Sequence, residues 1–438
     1  MAIEITSGDI FTPEQLEKHA KVYAGPGAGK THFLVENIKN IVTTNSLITQ
    51  SRMRKVLCVT YTNAAVGEIK RRLDKFTEHV EVYTIHGFII EHIIQLFQQD
   101  LKDIMKSDFG IEVGNKGKIS SQVEGLGILH GIDKNEIFDF IRQINPLEFS
   151  DDEFGYSKKA MGEVEVNNDA FISSITERTP RYMGLKIPSK IDERHVMPIK
   201  KYIWSIVRKL THNEILYFGY RILESNPTAL YAIRVKFPFI FVDEFQDTNP
   251  LQTLLIKLIG QKSTVIGVVG DVAQSIYSFQ GAQPTDFKNF TIEGNRELKE
   301  YVINGNRRST ENVVNFCNFL RQSDSDVVQI SDRPYDTEEQ KVWSETKKIH
   351  FLIGNSVTIY SIIKNILKNN CSLIPIPPGS GNISTATEMV PCNIIMTNAE
   401  LPESPNALYT NHVTANIAIL CTNVIAMTFT ITLGCVFR

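Results

Sequence analysis

The sequence predicts an α/β fold organised on a parallel sheet, on three observations. Phe239-Ile240-Phe241-Val242, bounded by Pro238, is a short unbroken apolar run, the pattern of a strand buried on both faces. Asp243 and Glu244 follow it directly, so two carboxylates stand where open α/β sheets take their ligands, at a strand's C-terminal end. Far upstream, Val22-Tyr23 leads through a glycine-rich turn into the helical pattern of His32 to Ile41. Residues 55–60 and 264–269 are further buried runs and 80–84 a further strand, each opening into a polar loop.

The glycine-rich turn is Ala24-Gly25-Pro26-Gly27-Ala28-Gly29-Lys30-Thr31. Strand, turn and helix in this order make a phosphate cradle, because glycines let backbone N–H groups close on phosphate oxygens at a helix N-terminus. Lys30 adds a point charge and the Thr31 hydroxyl is a magnesium ligand. Ala24 stands where the strict pattern has Gly, so the match is to the looser [AG]-x4-GK[ST] form. Asp243 suits Mg²⁺, which takes hard oxygen ligands, and Glu244 is placed to deprotonate a water for attack on phosphate. The bland alternatives are an incidental Lys-Thr after glycines and a strand end with two solvated acids. Their joint occurrence makes a nucleoside triphosphatase of the P-loop type the expectation.

At 438 residues the chain has room for two or three domains. Its 46 Lys+Arg against 49 Asp+Glu exclude a global polyanion-binding signature, so any nucleic-acid contact is local. The six cysteines include no CxxC pair and there is no signal-peptide pattern. Both features point to the reducing cytoplasm and against structural zinc.

Taken in order, Thr12 and Pro13 read as N-cap and first residue of a short helix carrying Gln15, whose amide suits a base edge. After residues 55–60 come Tyr61-Thr62-Asn63 and a helix with Val66, Ile69, Leu73 and Phe76 on one face; Asn63 reads as its cap, and Lys70, Arg71 and Arg72 make the other face basic. Residues 80–84 lead to Ile85-His86-Gly87-Phe88. Loops bearing Tyr61, Thr62, Asn63 and His86 suit a groove that contacts phosphates and stacks on bases, although a lone His86 reads first as a capping or core histidine. Residues 98–205 have weak periodicity and read as a mainly helical insertion; six basic residues against two acidic between Arg181 and Lys201 outline a backbone-contacting face or a plain solvated one. Helix is expected again from Trp204 to Leu223.

Beyond 264–269 the chain runs through Gly270-Asp271-Val272-Ala273-Gln274 to Phe279 and Ala282. Gln274 is placed to sense a γ-phosphate and Phe279 to stack on a base. Past Pro284 a second unit is expected, with Arg307-Arg308-Ser309-Thr310 ahead of an amphipathic helix over Glu311 to Leu320. An arginine there completes a phosphate site from a facing domain, or is simply a surface residue.

The ordered set AGPGAGKT, VTYTNAAVGEIKRRL, YTIHGF, FVDEFQDTNPLQ, VVGDVAQSIYSFQGA and NRRST resembles the UvrD/Rep-like branch of superfamily 1 helicases over roughly residues 10 to 370. The resemblance implies two RecA-like lobes and 3′-to-5′ movement on single-stranded DNA or single/double-strand junctions, driven by ATP with Mg²⁺. It implies that Gln15 reads adenine and that residues from Ala24 through Lys30, Thr31 and His32 hold the phosphates. Thr31 and Asp243 would hold the metal, and Glu244 would activate water. Gln274 would sense the γ-phosphate, Arg308 would reach it from the second lobe, and Arg307 stands where the family stacks an aromatic on adenine. Tyr61, Thr62, Asn63 and His86 would line the strand, with Phe279 stacking on it. The implied domains are a lobe of 1–97 and 206–292, an inserted 98–205, a second lobe opening at 293–370, and an atypical 371–438.

The chain also departs from the family pattern. Ala64 replaces the usual Lys, Gln280 the usual Arg, and Arg307 the usual aromatic. The family's later motifs are missing, and residues 371–438 carry only Glu388, Glu400, Glu403 and Arg438 as charged residues, with four of the six cysteines. Residues 416–421 still read as a strand. Three readings of this tail stand open: a truncation or frame change near 370, a diverged second lobe completed by a partner chain, or an uncharged membrane anchor over 404–437, which its Asn and Thr content disfavours. The main expectation is an ATP-dependent DNA translocase. The alternative is an ATP- and DNA-sensing subunit, without helicase activity of its own, of a nuclease-containing repair or phage-defence complex. A P-loop kinase gives the 271–282 and 61–63 stretches no role.

Overall fold

The computed structural model describes residues 2–114, 119, 121–122, 129, 131–144, 156–275, 281–321, 327–335, 338 and 341–342. It also describes strands at 351–354, 393–397, 413–420 and 427–433. The chain divides into two compact units, one running to Gly305 and one opening at Asn306.

The first unit is built on seven strands: β1 (Ile3–Ile5), β2 (His19–Ala24), β3 (Val56–Thr60), β4 (Val80–Thr84), β5 (Phe239–Val242), β6 (Val265–Gly270) and β7 (Leu298–Ile303). Their spatial order is β1-β7-β2-β6-β5-β3-β4 and every pairing is parallel. All C-terminal ends therefore lie along one edge. From β2 the chain passes to β3 on one side, and from β6 to β7 on the other, so β2 stands at a switch point where ligands bind.

The side-chain period of two splits the core between the sheet's faces. Val22, Val56, Cys58, Phe239, Phe241 and Val265 pack against α1 (Lys30–Thr44) through Phe33, Leu34, Ile38 and Ile41. Leu57, Val59, Ile240, Val242, Ile266 and Val268 face the helices His212–Ser225 and Pro250–Gly260 in the other cluster. Two-sided burial explains why β5 and β6 read as continuous apolar runs instead of alternating ones.

The described residues between 98 and 236 are mainly helical, with short strand pairs at 121–122/209–210 and 165–166/185–186. The helix expected over 204–223 is interrupted. A π-helical turn over Ile203–Val207 stops at Arg208 (φ 56°), and a new helix starts after Thr211. The cause is a capping box: Glu214 N–H donates to Thr211 Oγ1 at 3.3 Å, and Thr211 N–H donates to Glu214 Oε2 at 3.0 Å. β7 corrects the expected boundary at 292–293, because residues 298–303 form an inner strand of the first sheet, between β1 and β2.

The second unit begins with the expected helix Glu311–Leu320. Asn306 closes the turn before it, its Oδ1 accepting from the N–H groups of Arg308 (3.0 Å) and Ser309 (2.9 Å). Its four-stranded sheet pairs 351–354 parallel with 393–397, then 413–420 and 427–433 antiparallel, and 413–420 contains most of the strand expected at 416–421. Among the described residues, no helix is long and apolar enough to cross a membrane.

Candidate active site

The cradle is the turn from Gly25 to Gly29 between β2 and α1. Gly27 (φ 74°) and Gly29 (φ 84°) are left-handed, the region that a Cβ penalises. Gly29 is doubly constrained, because a Cβ there would lie 2.8 Å from the Ser7 Cβ. Ala24 ends β2 fully buried, so it fills the strand terminus and leaves the turn itself to the glycines. Pro26 is half-buried on the turn. α1 starts at Lys30, which directs the free N–H groups of a 15-residue helix and their partial positive charge at the turn. Lys30 is buried, Thr31 half-buried and His32 exposed.

β5 delivers the carboxylates to the same edge. Asp243 continues the ladder, its N–H donating to Val59 O at 2.8 Å, and it is buried. Glu244 breaks the ladder in a left-handed conformation (φ 52°, ψ 45°), which turns its side chain toward α1. Lys30 Nζ lies 3.3 Å from Glu244 Oε2. Burial, and behind it the Glu244 charge, push the Asp243 carboxyl well above the usual carboxylate range, while Lys30 pulls it back. A divalent cation would favour the charged form. Asp243 with the Thr31 hydroxyl makes an all-oxygen set, and Mg²⁺ commonly takes only one or two protein ligands and keeps several waters. The residues present therefore fit Mg²⁺.

β6 brings a third loop alongside. Asp271 caps the turn Val272–Gln274, its Oδ1 accepting from Ala273 N–H at 3.1 Å and its Oδ2 from Gln274 Nε2 at 2.5 Å. Buried Gln246 joins this loop to the carboxylates, a link that motif reading left without a role. Phe279 lies outside the described residues.

Gln15 sits in a single 3₁₀ turn, Gln15–Glu17, where a short helix capped by Thr12 is expected, and the residue before the turn is Glu14. Thr12 still acts locally: its N–H donates to Gln15 Oε1 at 2.8 Å and its hydroxyl accepts from Gln15 N–H at 3.3 Å. The Gln15 amide also reaches Tyr301 on β7. Behind this segment the buried Asn37 of α1 accepts from Phe11 N–H at 2.7 Å and donates to Asp9 O at 3.0 Å and Phe33 O at 2.9 Å. Asn37 and Ser7 were missed in the sequence, and an Asn inside a helix's apolar stripe was the available signal.

Tyr61, Thr62, Asn63 and His86 follow β3 and β4 on the same edge. The cap of the helix Asn63–Leu73 is Thr62, whose hydroxyl accepts from Ala65 N–H at 3.2 Å; Asn63 is the first helical residue, which leaves its side chain uncommitted to capping. The expected basic face is partly neutralised, since Arg71 and Arg72 both pair with Glu68. The basic run 181–201 is reduced in the same way: Arg181 pairs with Glu224, Arg194 with Asp192, and buried Lys200 with Glu214. His86 is half-buried with its ring against His212 (centroids 4.8 Å apart), and burial first, then His212, push it down to about 4, so it is a neutral imidazole. Arg307 and Arg308 are exposed at the start of the second unit.

The comparisons with known proteins agree with this geometry. The model of the UvrD/REP helicase N-terminal domain matches residues 10–293. The chain is 25% identical over 291 residues to a probable DNA helicase II homolog of Mycoplasma capricolum, covering 64% of this chain and 37% of that protein. It is 26% identical over 301 residues to the ATP-dependent DNA helicase Rep of Buchnera aphidicola, covering 66% and 40%. It is 25% identical over 284 residues to the Gabija protein GajB of Bacillus cereus, covering 58% and 40%. The chain thus spans about two fifths of the length of these curated relatives. With the glycine cradle, paired carboxylates and Gln274 loop on one parallel-sheet edge, and a family match over residues 10–293, the chain belongs to the UvrD/REP helicase family.

Proposed function

We propose that this chain hydrolyses ATP with Mg²⁺ and couples hydrolysis to movement on single-stranded DNA or at single/double-strand junctions. The observation that carries the reading is the meeting of Lys30 and Glu244, 3.3 Å apart, beside the buried Asp243. Bound ATP supplies the phosphorus that water attacks, and Mg²⁺, when bound, would supply positive charge to offset that of the phosphate oxygens. The glycine turn and α1 N-terminus hold the phosphates, while Gln15 reads the base. Thr31 and Asp243 hold the metal. Glu244 takes the proton from the attacking water, and Lys30 and Gln274 stabilise the negative charge that develops on the transferred group. Tyr61, Thr62, Asn63, His86 and Phe279 contact the strand.

In this reading the nucleotide-binding lobe comprises residues 1–97 and 206–305, with 98–205 inserted, and the second lobe opens at Asn306. The likeness to the Gabija protein GajB favours a second reading, an ATP- and DNA-sensing subunit of a nuclease-containing repair or phage-defence complex. The test is ATP hydrolysis by the 438-residue chain with and without an oligothymidylate. Strong stimulation supports the translocase. Binding of both ligands without stimulated turnover supports the sensing subunit, and failure to bind ATP overturns both.

A further inference from the structure

Gln246 lies inside the molecule with both ends of its amide committed. Its Nε2 donates to Glu244 Oε2 at 2.8 Å and its Oε1 accepts from Asp271 N–H at 3.0 Å. Its backbone carbonyl accepts from Ser275 Oγ at 3.3 Å. One side chain therefore ties the loop after β5 to the loop after β6. The chain makes room for it, because a Cβ on Gly270 would lie 2.6 Å from Gln246 Oε1. Glutamine suits this place by chemistry: Glu lacks the donor and would repel Glu244, Asn is a methylene shorter, and Met offers neither bond. Glu244 needs such a brace, since its left-handed backbone holds a pose that an ordinary residue does not favour.

We propose that Gln246 is a positioning residue that holds Glu244 in its reactive pose and links that pose to the Asp271–Ser275 loop. The proposal rests on Glu244 as the water-activating residue. Through Asp271, whose carboxylate also holds Gln274, a displacement of the downstream loop reaches Glu244 across two hydrogen bonds. Gln246 acts through Glu244, setting where that carboxylate stands.

The test uses Gln246→Met, which loses both bonds, and Gln246→Glu, which keeps the acceptor for Asp271 and loses the donor to Glu244. Amide hydrogen exchange at Asp271 in nucleotide-free protein is expected to quicken at least tenfold in Gln246→Met and to stay slow in Gln246→Glu. Gly270→Ala, which pushes the amide aside, should quicken it too. In turnover both Gln246 variants should lose at least tenfold in kcat with KM for ATP unchanged, and Gln246→Met should also lose most of its stimulation by oligothymidylate. Unchanged exchange at Asp271 in Gln246→Met, or wild-type kcat in both variants, overturns the proposal. Glu244→Gln is run beside them: wild-type turnover there removes the reading of Glu244, while exchange at Asp271 still decides whether the link exists.

Discussion

Lys30 Nζ and Glu244 Oε2 stand 3.3 Å apart, so the cation and the carboxylate to which the proposed function gives phosphate binding and water activation neutralise one another across the cradle. Nucleotide must take Lys30 from Glu244 as it binds. Lys30→Ala should therefore weaken ATP binding at least tenfold and abolish turnover. Glu244→Gln should abolish turnover while binding ATP as well as or better than wild type. The gain is at most about fivefold, because a pair whose carboxylate end is open to solvent is worth only about 1 kcal/mol. Equilibrium titration with a fluorescent ATP analogue separates the two outcomes, and measurable hydrolysis in both variants would remove the site assignment.

Asn37 sews the segment before Gln15 onto α1 through two hydrogen bonds, to Phe11 N–H and Asp9 O. Asn37→Leu keeps the shape but leaves Phe11 N–H and Asp9 O without these partners. The expected cost is about 1–3 kcal/mol, chiefly from the Phe11 N–H left unpaired in the interior. Thermal melting reads the loss. ATP-over-GTP preference should fall with it, because Gln15 is then held less firmly, whereas a variant that melts early yet keeps full preference would confine Asn37 to stability.

Gly29 carries two constraints that can be separated. Gly29→Ala should abolish nucleotide binding, combining left-handed strain of about 1–2 kcal/mol with a methyl group 2.8 Å from the Ser7 Cβ. Adding Ser7→Gly removes the clash and leaves the strain, so the double variant should regain part of the lost affinity. Equal affinities in the single and double variants would show that the Ser7 contact is immaterial.

The central strands were legible because two-sided burial writes itself as unbroken apolar runs, and residues 239–242 form the strand expected there. The glycine turn and the two carboxylates were legible for a different reason, since few residue types can do their chemistry. Side-chain duties that depend on distant partners were hidden. Gln246 reads as one polar residue among several until Asp271 is beside it, and Asn37 reads as a helix residue until Phe11 is. Arg71, Arg72 and Arg181 looked like free cations because sequence gives charge but not the carboxylate that meets it. The 204–211 break was in plain view as Thr-x-x-Glu, yet the surrounding apolar periodicity outweighed it.

His19 gives the fold a pH limit of its own. It is fully buried on β2, where its Nδ1 accepts from Ile266 N–H at 3.0 Å, so the neutral ring is a structural acceptor between β2 and β6. Burial, and then the Arg296 guanidinium, push it down to about 4 from the ordinary 6.5. Folded protein thus resists a proton that the unfolded chain accepts. The stabilisation is fully present above about pH 6.5 and is lost as pH falls toward 4, at about 1.4 kcal/mol per pH unit where only the unfolded chain is protonated. His19→Gln keeps an acceptor but does not titrate, so its melting temperature should fall less steeply than wild type between pH 6.5 and 4.5. Carboxylates protonate in both proteins, and the difference between the two curves isolates the histidine. Parallel curves would mean that Ile266 N–H tolerates a protonated ring and that acid unfolding starts elsewhere.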